Sequence, residues 1–376
     1  MKISRLRLSN WRNFREADLK LQRRLFVVGP NASGKSNLLD ALRFLRDIAD
    51  PEGGFQRAVK SRGGVTQLRC LHARRYPNIA IEVSLQLDEI DWVYRLEFAQ
   101  DNQRRPLVKK EEVERSGRVI LSRPDDADES DPSRLTQTHL EQVNANQKFR
   151  VIAEFLARIR YLHVVPQLIR ESDRIVSQYQ DPYGSDFLEQ IARTQKRTLE
   201  SRLRRINDAL QVAVPQLREL KLERDERGVP HLKGRYAHWR PNAGWQTEEH
   251  FSDGTLRLLG MLWVFLEGGA PLLLEEPELS LHPGVIRHIP AMMARAGRKS
   301  ARQVFVSTHS ADLLSDKGIA PEEVALLVPS NNGTLVQLAA NDSQIRTLLA
   351  NGISMADAVL PKTTPSHVQQ LSLFGS

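Results

Sequence analysis

The stretch Gly29-Pro30-Asn31-Ala32-Ser33-Gly34-Lys35-Ser36 constrains this chain more than any other. It fits G-x-x-x-x-G-K-[ST], the phosphate-loop pattern, and its flanks fit as well as its letters. Before it, Arg24 to Val28 (RLFVV) reads as a short buried strand. After it, Leu38, Leu39, Leu42, Leu45 and Ile48 recur at helical spacing, which predicts a helix from Asn37 to Ile48. Strand, glycine loop and helix in that order are the context the pattern needs. Gly29 and Gly34 let the backbone curl, so that the segment from Gly29 to Asn37 turns its amides toward a phosphate at a helix start. Lys35 is expected to bridge the outer phosphates, and the Ser36 hydroxyl to hold Mg²⁺.

Composition narrows the setting. With 376 residues the chain can bury one large core or two modest ones. Hydrophobic content of 40% beside 27% charged residues is that of a globular protein. A single cysteine, Cys70, excludes an intrachain disulfide framework and suits a reducing cytoplasm. No apolar run reaches membrane-spanning length, and the first residues lack the apolar core of a signal peptide, so no membrane partner is expected. The net charge of +8 favours an anionic partner.

Along the chain, residues 2–8 alternate like a half-buried strand, Asn10 to Phe14 is turn-like, and Ala17 to Leu21 alternates again. Ile79–Leu87 and Trp92–Phe98 are further strand candidates. The acidic, Pro-flanked run Arg123–Pro132 predicts an exposed, mobile loop. Helical periodicity covers about Thr138 to Arg160 and about Asp186 to Val212. From Thr255 a helix leads to the strand Leu272-Leu273-Leu274. A second helix, Val285 to Arg295, leads to the strand Gln303–Val306. Strands alternating with helices point to a largely parallel, covered sheet. Pro361 to Ser376 reads as a polar tail.

Four downstream features add chemistry. Leu272–Leu274 ends in Glu275 and Glu276, two adjacent acids that repel each other unless a cation sits between them. Glu275 is expected at the Mg²⁺ water shell and Glu276 at the attacking water. Ser307-Thr308-His309-Ser310 follows a second strand, where His309 could contact the terminal phosphate and orient the water. Phe251-Ser252-Asp253-Gly254-Thr255 opens a helix; Ser252, Asp253 and Gly254 are either a phosphate-binding turn or only an N-cap. Glu278-Leu279-Ser280-Leu281-His282-Pro283 follows the acids directly.

In this order the residues resemble the ATP-binding-cassette heads of the SMC, RecF and overcoming-lysogenisation-defect (OLD) group of AAA-type ATPases. Residues 29–36 resemble its Walker A, Ser252–Arg257 its signature, Leu272–Glu276 its Walker B, Glu278–Pro283 its D-loop and His309 its switch histidine. KISRLRLSNWRNF at the start is similar to the group's opening strand. Glu275 stands where many relatives have Asp, and Asp253 replaces the first signature glycine. Gln67 and Gln56 are both candidates for the Q-loop glutamine. The resemblance implies an α/β P-loop fold of ABC-ATPase type, a two-lobed head with a mostly helical inserted lid. It implies ATP and Mg²⁺, and a head-to-head homodimer in which each signature caps the partner's ATP. The expected division is 1–135 and 246–340 for the two parts of the head, 136–245 for the lid, and 341–376 for an extension and tail. The lid is too short for coiled-coil arms, and too little chain follows His309 for the Toprim domain of OLD nucleases. Any nuclease is then expected on a separate chain.

The functional expectation is a cytoplasmic, DNA-associated ATPase, either the ATPase component of an anti-phage or DNA-maintenance system with a separate effector, or an ATP-gated clamp or loader-type factor in repair or replication. A transporter subunit is disfavoured by the opening strand and the Ser-Asp-Gly-Thr signature. For nucleic acid, Arg193, Arg197 and Arg204 recur at helical spacing; they form either a DNA-binding face or a solvated one shared with Glu189 and Glu200. Near the end, Gln370-Leu371-Ser372-Leu373-Phe374 resembles the pentapeptide that binds the bacterial sliding clamp. Gln370 would supply polar contacts and Leu371, Leu373 and Phe374 the apolar anchor, unless the segment folds back as a latch.

Overall fold

The computed structural model describes residues 1–73, 77–171, 181, 183–240 and 243–364, the side chains of 299 and 300 apart. The chain divides into two compact units. The first comprises Met1–Arg160, Ala270–Leu273 and the segment from Arg302; the second comprises Tyr161–Gly269 and Leu274–Ala301.

The first unit holds an antiparallel sheet ordered β2-β1-β4-β5-β6-β7. Its strands are β1 (Lys2–Trp11), β2 (Phe14–Lys20), β4 (Ile79–Leu87), β5 (Ile90–Gln100), β6 (Pro106–Arg115) and β7 (Arg118–Arg123). Alternation drives them: Ile79, Ile81, Val83 and Leu85 face inward from β4 as Tyr94, Leu96 and Phe98 do from β5. The second sheet is ordered β15-β14-β3-β13-β12-β8. It contains β3 (Arg24–Val28), β8 (Arg160–Leu162), β12 (Leu272–Glu275), β13 (Val304–Thr308), β14 (Val324–Ser330) and β15 (Gly333–Leu338). Strand β3 is flanked by parallel neighbours β13 and β14. It is buried from Leu25 to Val28, as an unbroken apolar run should be at the centre of a covered sheet. Strands β8 and β12 each run out of the first unit: Arg160, Leu272 and Leu273 lie in the first, while Tyr161, Leu162, Leu274 and Glu275 lie in the second.

The predicted helix after the glycine loop runs Lys35–Ala49 and buries Leu38, Leu39, Leu42, Phe44, Leu45 and Ile48. Aromatic packing carries that face on: Phe44 lies 5.2 Å from Trp11 and 5.4 Å from Phe98, ring to ring. The Trp11 indole donates to the Asn37 carbonyl at 2.8 Å, tying the opening strand to the start of this helix.

The second unit holds a three-stranded antiparallel sheet, β11-β10-β9, of β9 (Leu217–Arg224), β10 (Pro230–Tyr236) and β11 (Trp245–Thr247), alongside the helices Lys196–Ala213 and Asp253–Glu267. This sheet was not legible as strands in a stretch read for its helices. Helix Lys196–Ala213 buries Leu203, Ile206 and Leu210 along one stripe.

Four sequence expectations need correction. Residues 123–132 are no mobile loop: a short helix, Asp126–Ser130, opens on a capping box from Asp125, and Arg123 and Asp128 are fully buried as an ion pair. Between Thr138 and Arg160 only Arg150–Ala157 is α-helical, with a 3₁₀ turn at Asn146–Lys148. There the buried Glu111 carboxylate takes the His139 and Leu140 amides at 2.8 and 3.0 Å, so those amides are not free for helical bonds. The helix expected from Asp186 to Val212 breaks, because Gln195 is extended (ψ 132°) and separates Phe187–Ala192 from Lys196–Ala213. At the other end, Pro361 sits inside the helix Met355–Thr363 rather than starting a tail.

Candidate nucleotide site

The glycine loop leaves the end of β3, the central strand of its sheet. Val28 pairs in register with Thr308 of β13, so Gly29 and His309 leave adjacent parallel strands at the same level. The structure thus brings two of the predicted site segments to one sheet edge, the place where ligands of such sheets collect.

Within the loop the backbone geometry is demanding. A Cβ on Gly29 would lie 2.5 Å from Ser33 Oγ and 2.9 Å from Leu327, so only glycine fits. Gly34 (φ 98°) and Ala32 (φ 61°) adopt the left-handed conformation that turns the chain back. Side chains brace the turn: the Thr334 hydroxyl donates to the Ser33 carbonyl at 2.8 Å, and Asn13 Nδ2 donates to the Ala32 carbonyl at 3.3 Å. Asn37 Nδ2 in turn donates to Asn13 Oδ1. Helix Lys35–Ala49 starts with no side-chain cap at Gly34 and no acid in its first turn, so no carboxylate competes at its positive end. Ser33 Oγ is buried without a hydrogen-bond partner. Lys35, only 7% exposed, turns its ammonium onto the Gly29 and Pro30 carbonyls at 3.0 and 3.2 Å. A helix start with no side-chain cap and no nearby acid, an orphaned buried hydroxyl, no room for a Cβ and a folded-in lysine together fit a phosphate group.

Sequence reasoning missed the flank of this loop. A cleft of about 340 Å³ beside it is lined by Arg12, Asn13, Ala32, Asn37, Gln67 and Thr334. Arg12 is held at 3.1 Å by Asp40, which also receives the Arg62 fork. Burial would raise the Asp40 carboxyl, but Arg62, Arg12 and Arg43 outweigh it and hold it below the usual range. Of the two Q-loop candidates, Gln67 lines the cleft. Gln56 instead donates to the Pro106 and Thr136 carbonyls at 2.9 and 2.7 Å.

The second unit carries the other predicted residues. Ser252 caps the helix Asp253–Glu267, its hydroxyl accepting from the Thr255 amide at 3.2 Å. Asp253 is clamped at 2.6 Å by Arg170, which also donates to the Phe251 carbonyl at 2.7 Å. A Cβ on Gly254 would lie 2.5 Å from the Ser280 carbonyl, so the signature and the segment after the acids are packed against each other. Burial holds the Arg257 guanidinium below its ordinary value, against the pull of Asp253 and Glu276, and its Nε is buried with no hydrogen-bond partner. Glu275 accepts a hydrogen bond from the Tyr161 hydroxyl, and its carbonyl is 3.3 Å from His163 Nδ1. Glu276 sits at φ 43°, a conformation costly for a residue with a side chain and concentrated at functional sites. Tyr161 was missed because β8 is three residues long, too short to show a period.

A family model described as "AAA domain, putative AbiEii toxin, Type IV TA system" matches residues 25–316. The chain belongs to this family. A second model, for the P-loop-containing region of AAA domains, matches residues 3–45. The DNA replication and repair protein RecF of Agrobacterium fabrum is 45% identical over 60 residues, 16% of this chain and 15% of the relative. That of Corynebacterium jeikeium is 38% identical over 64 residues, again 15% of its length. Among solved structures, an Smc head bound to the C-winged helix domain of ScpA superposes with a TM-score of 0.58 at 15% identity, covering 90% of this chain and 97% of that one. An Smc head with an extended coiled coil, bound to the C-terminal domain of ScpA derived from Pyrococcus furiosus, gives 0.52 at 13%, covering 93% and 99%. This AAA-family chain therefore has the fold of an SMC/RecF-like ABC-type ATPase head.

The candidate DNA-binding arginines do not form one row. Arg193 ends the helix Phe187–Ala192, whereas Arg197 and Arg204 lie two turns apart on Lys196–Ala213 and are both exposed. Gln370, Leu371, Leu373 and Phe374 lie outside the described residues. No helix among the described residues is long and apolar enough to cross a membrane.

Proposed function

We propose that this head binds and hydrolyses ATP with Mg²⁺, closes around it as a head-to-head homodimer, and acts on or beside DNA. In this reading it is the ATPase component of an anti-phage or DNA-maintenance system whose effector, a nuclease, is a separate chain in the cytoplasm. The observation that carries the nucleotide part is the phosphate loop itself: Gly29 with no space for a Cβ, the orphaned Ser33 hydroxyl and the uncapped helix start. Main-chain amides through Asn37 would hold the phosphates, and Lys35 would leave its own loop carbonyls for them. Ser36 and Glu275 are the pair we assign to Mg²⁺, which supplies charge neutralisation to the transferring phosphoryl group. Tyr161 would orient Glu275. Glu276 would take the proton of the attacking water, and His309 would contact the terminal phosphate. Ser252, Asp253 and Gly254 would cap the nucleotide held by the other copy. The alternative role, an ATP-gated DNA clamp in repair or replication, is supported by the stretch shared with RecF.

The test is Glu276→Gln. It should keep ATP affinity, lose turnover by about 10²–10⁴-fold, and accumulate ATP-dependent dimer in light scattering. Lys35→Ala should instead lose nucleotide affinity. Wild-type turnover in the glutamine variant would remove Glu276 from its role.

A further inference from the structure

The hairpin between β10 and β11 carries a feature that the nucleotide site does not use. Its descending residues are His238-Trp239-Arg240, and Trp239 is 78% exposed. The three side chains are already layered: the His238 ring lies 5.7 Å from the indole at an interplanar angle of 24°, and the Arg240 guanidinium stands 4.3 Å from the ring centre. The Arg240 amide donates to His238 Nδ1 at 3.0 Å, fixing the imidazole. The base of the loop is fixed too. Tyr236 donates its amide to the Gly244 carbonyl at 2.8 Å, Ala237 donates to Gln216 at 2.7 Å, and a Cβ on Gly244 (φ 87°) would lie 2.5 Å from the Tyr236 carbonyl.

The adjoining sheet face continues the same chemistry. Trp245 lies opposite Arg235 in register, with Lys221 Nζ 3.9 Å and the Arg235 guanidinium 5.8 Å from its ring centre. The two carboxylates on that face are already taken: Glu219 pairs with Arg235 at 3.0 Å, and Glu223 pairs with Lys221 and Lys233 at 2.5 and 2.9 Å. With Arg240 added, the cations on this face and its loop outnumber the acids. A single exposed indole among layered cations is a poor membrane anchor, which needs several apolar side chains. It is a good platform for a flat, anionic ligand, since every nucleobase has a π-face and every nucleotide a phosphate.

We propose that the Trp239 hairpin is a stacking site for unpaired bases, so that the head distinguishes single-stranded or locally opened nucleic acid from intact duplex. This rests on the reading that the protein acts on DNA, but on residues other than Arg197 and Arg204. Trp239 is mostly exposed and is touched by its chain neighbours His238 and Arg240, so removing its ring should leave the fold intact.

The experiment measures fluorescence anisotropy of a labelled oligothymidylate and of a matched duplex, with the full chain and ATP. Trp239→Ala should weaken the single strand by at least about fivefold while leaving the duplex within about twofold. Trp239→Phe, which keeps a ring, should restore most of the loss. Equal binding of the single strand by wild type and Trp239→Ala would overturn the stacking site while leaving the DNA reading in place; an equal loss on strand and duplex would overturn it as well. If the wild-type chain binds neither ligand, the stacking site and the DNA reading fall together.

Discussion

Replacing Arg123 by methionine should destabilise the first unit by about 3–5 kcal/mol, because it would strand two buried carboxylates. Arg123, Glu111 and Asp128 are all wholly buried. The guanidinium forks Asp128 at 2.9 and 2.7 Å, reaches Glu111 at 3.0 Å, and donates to the Gln137 and Arg134 carbonyls at 3.0 and 3.2 Å. Methionine keeps much of the aliphatic volume and removes every one of these donors. Glu111 would keep the Tyr94 hydroxyl and two amides, but Asp128 would keep little beyond the Asp125 amide at 3.1 Å and the Arg134 guanidinium at 3.3 Å.

The acid side of the stability curve reports the same group. The hydrogen bond from Arg123 lowers the Asp128 carboxyl from 3.8 to about 2. A depressed carboxyl contributes stability above its unfolded value, and that contribution is lost as the pH falls from 3.8 through about 2. The size of the shift is worth roughly 2 kcal/mol. Urea unfolding of the wild type should show that fall and Arg123→Met should not. Hydrogen exchange at the His139 and Leu140 amides, which donate to Glu111, gives the local readout. The triple variant Arg123→Met, Glu111→Gln, Asp128→Asn should recover most of the loss, since no charge is left to solvate. A loss below about 1 kcal/mol for Arg123→Met, or a triple variant as unstable as the single one, would refute the reasoning.

Three further outcomes are expected. Gly254→Ala, whose Cβ cannot fit 2.5 Å from the Ser280 carbonyl, should push the signature turn aside and weaken ATP-dependent dimerisation by at least about fivefold, with monomeric ATP binding unchanged, as read by light scattering and nucleotide titration. Reversing Arg197 and Arg204 to glutamate should weaken duplex DNA binding and lower its log–log salt slope by about two, because two phosphate contacts disappear; an unchanged slope moves the duplex site elsewhere. Deleting Gln370–Phe374 should abolish capture by the purified bacterial sliding clamp; if neither form binds, or both bind equally, the segment is a latch or has no binding role.

The legible part of this protein is the part in which a few residues are forced by local backbone chemistry. Gly29, Gly34 and Lys35 announce the phosphate loop because the turn and the helix start admit almost nothing else, and the apolar run of β3 announces a covered strand. The brace of that loop was opaque: Asn13, Thr334 and Arg12 reach it across the chain, and their residue types have many other uses. Charge misled most. Read by composition, Asp125 to Asp131 is a solvated loop, yet one arginine placed at the end of β7 draws Asp128 inside and turns the run into a capped helix. Periodicity misled at Arg193 for the related reason that spacing continues through a break it cannot register, here the turn from Arg193 to the extended Gln195. Glu276 joins both lessons. Its letter and its place after an apolar strand suggest a catalytic acid, but its φ of 43° belongs to the fold alone. A left-handed glutamate between β12 and the turn closed by Leu279 onto its carbonyl is held there by its surroundings, and such strain persists where the direction of a side chain matters more than its stability.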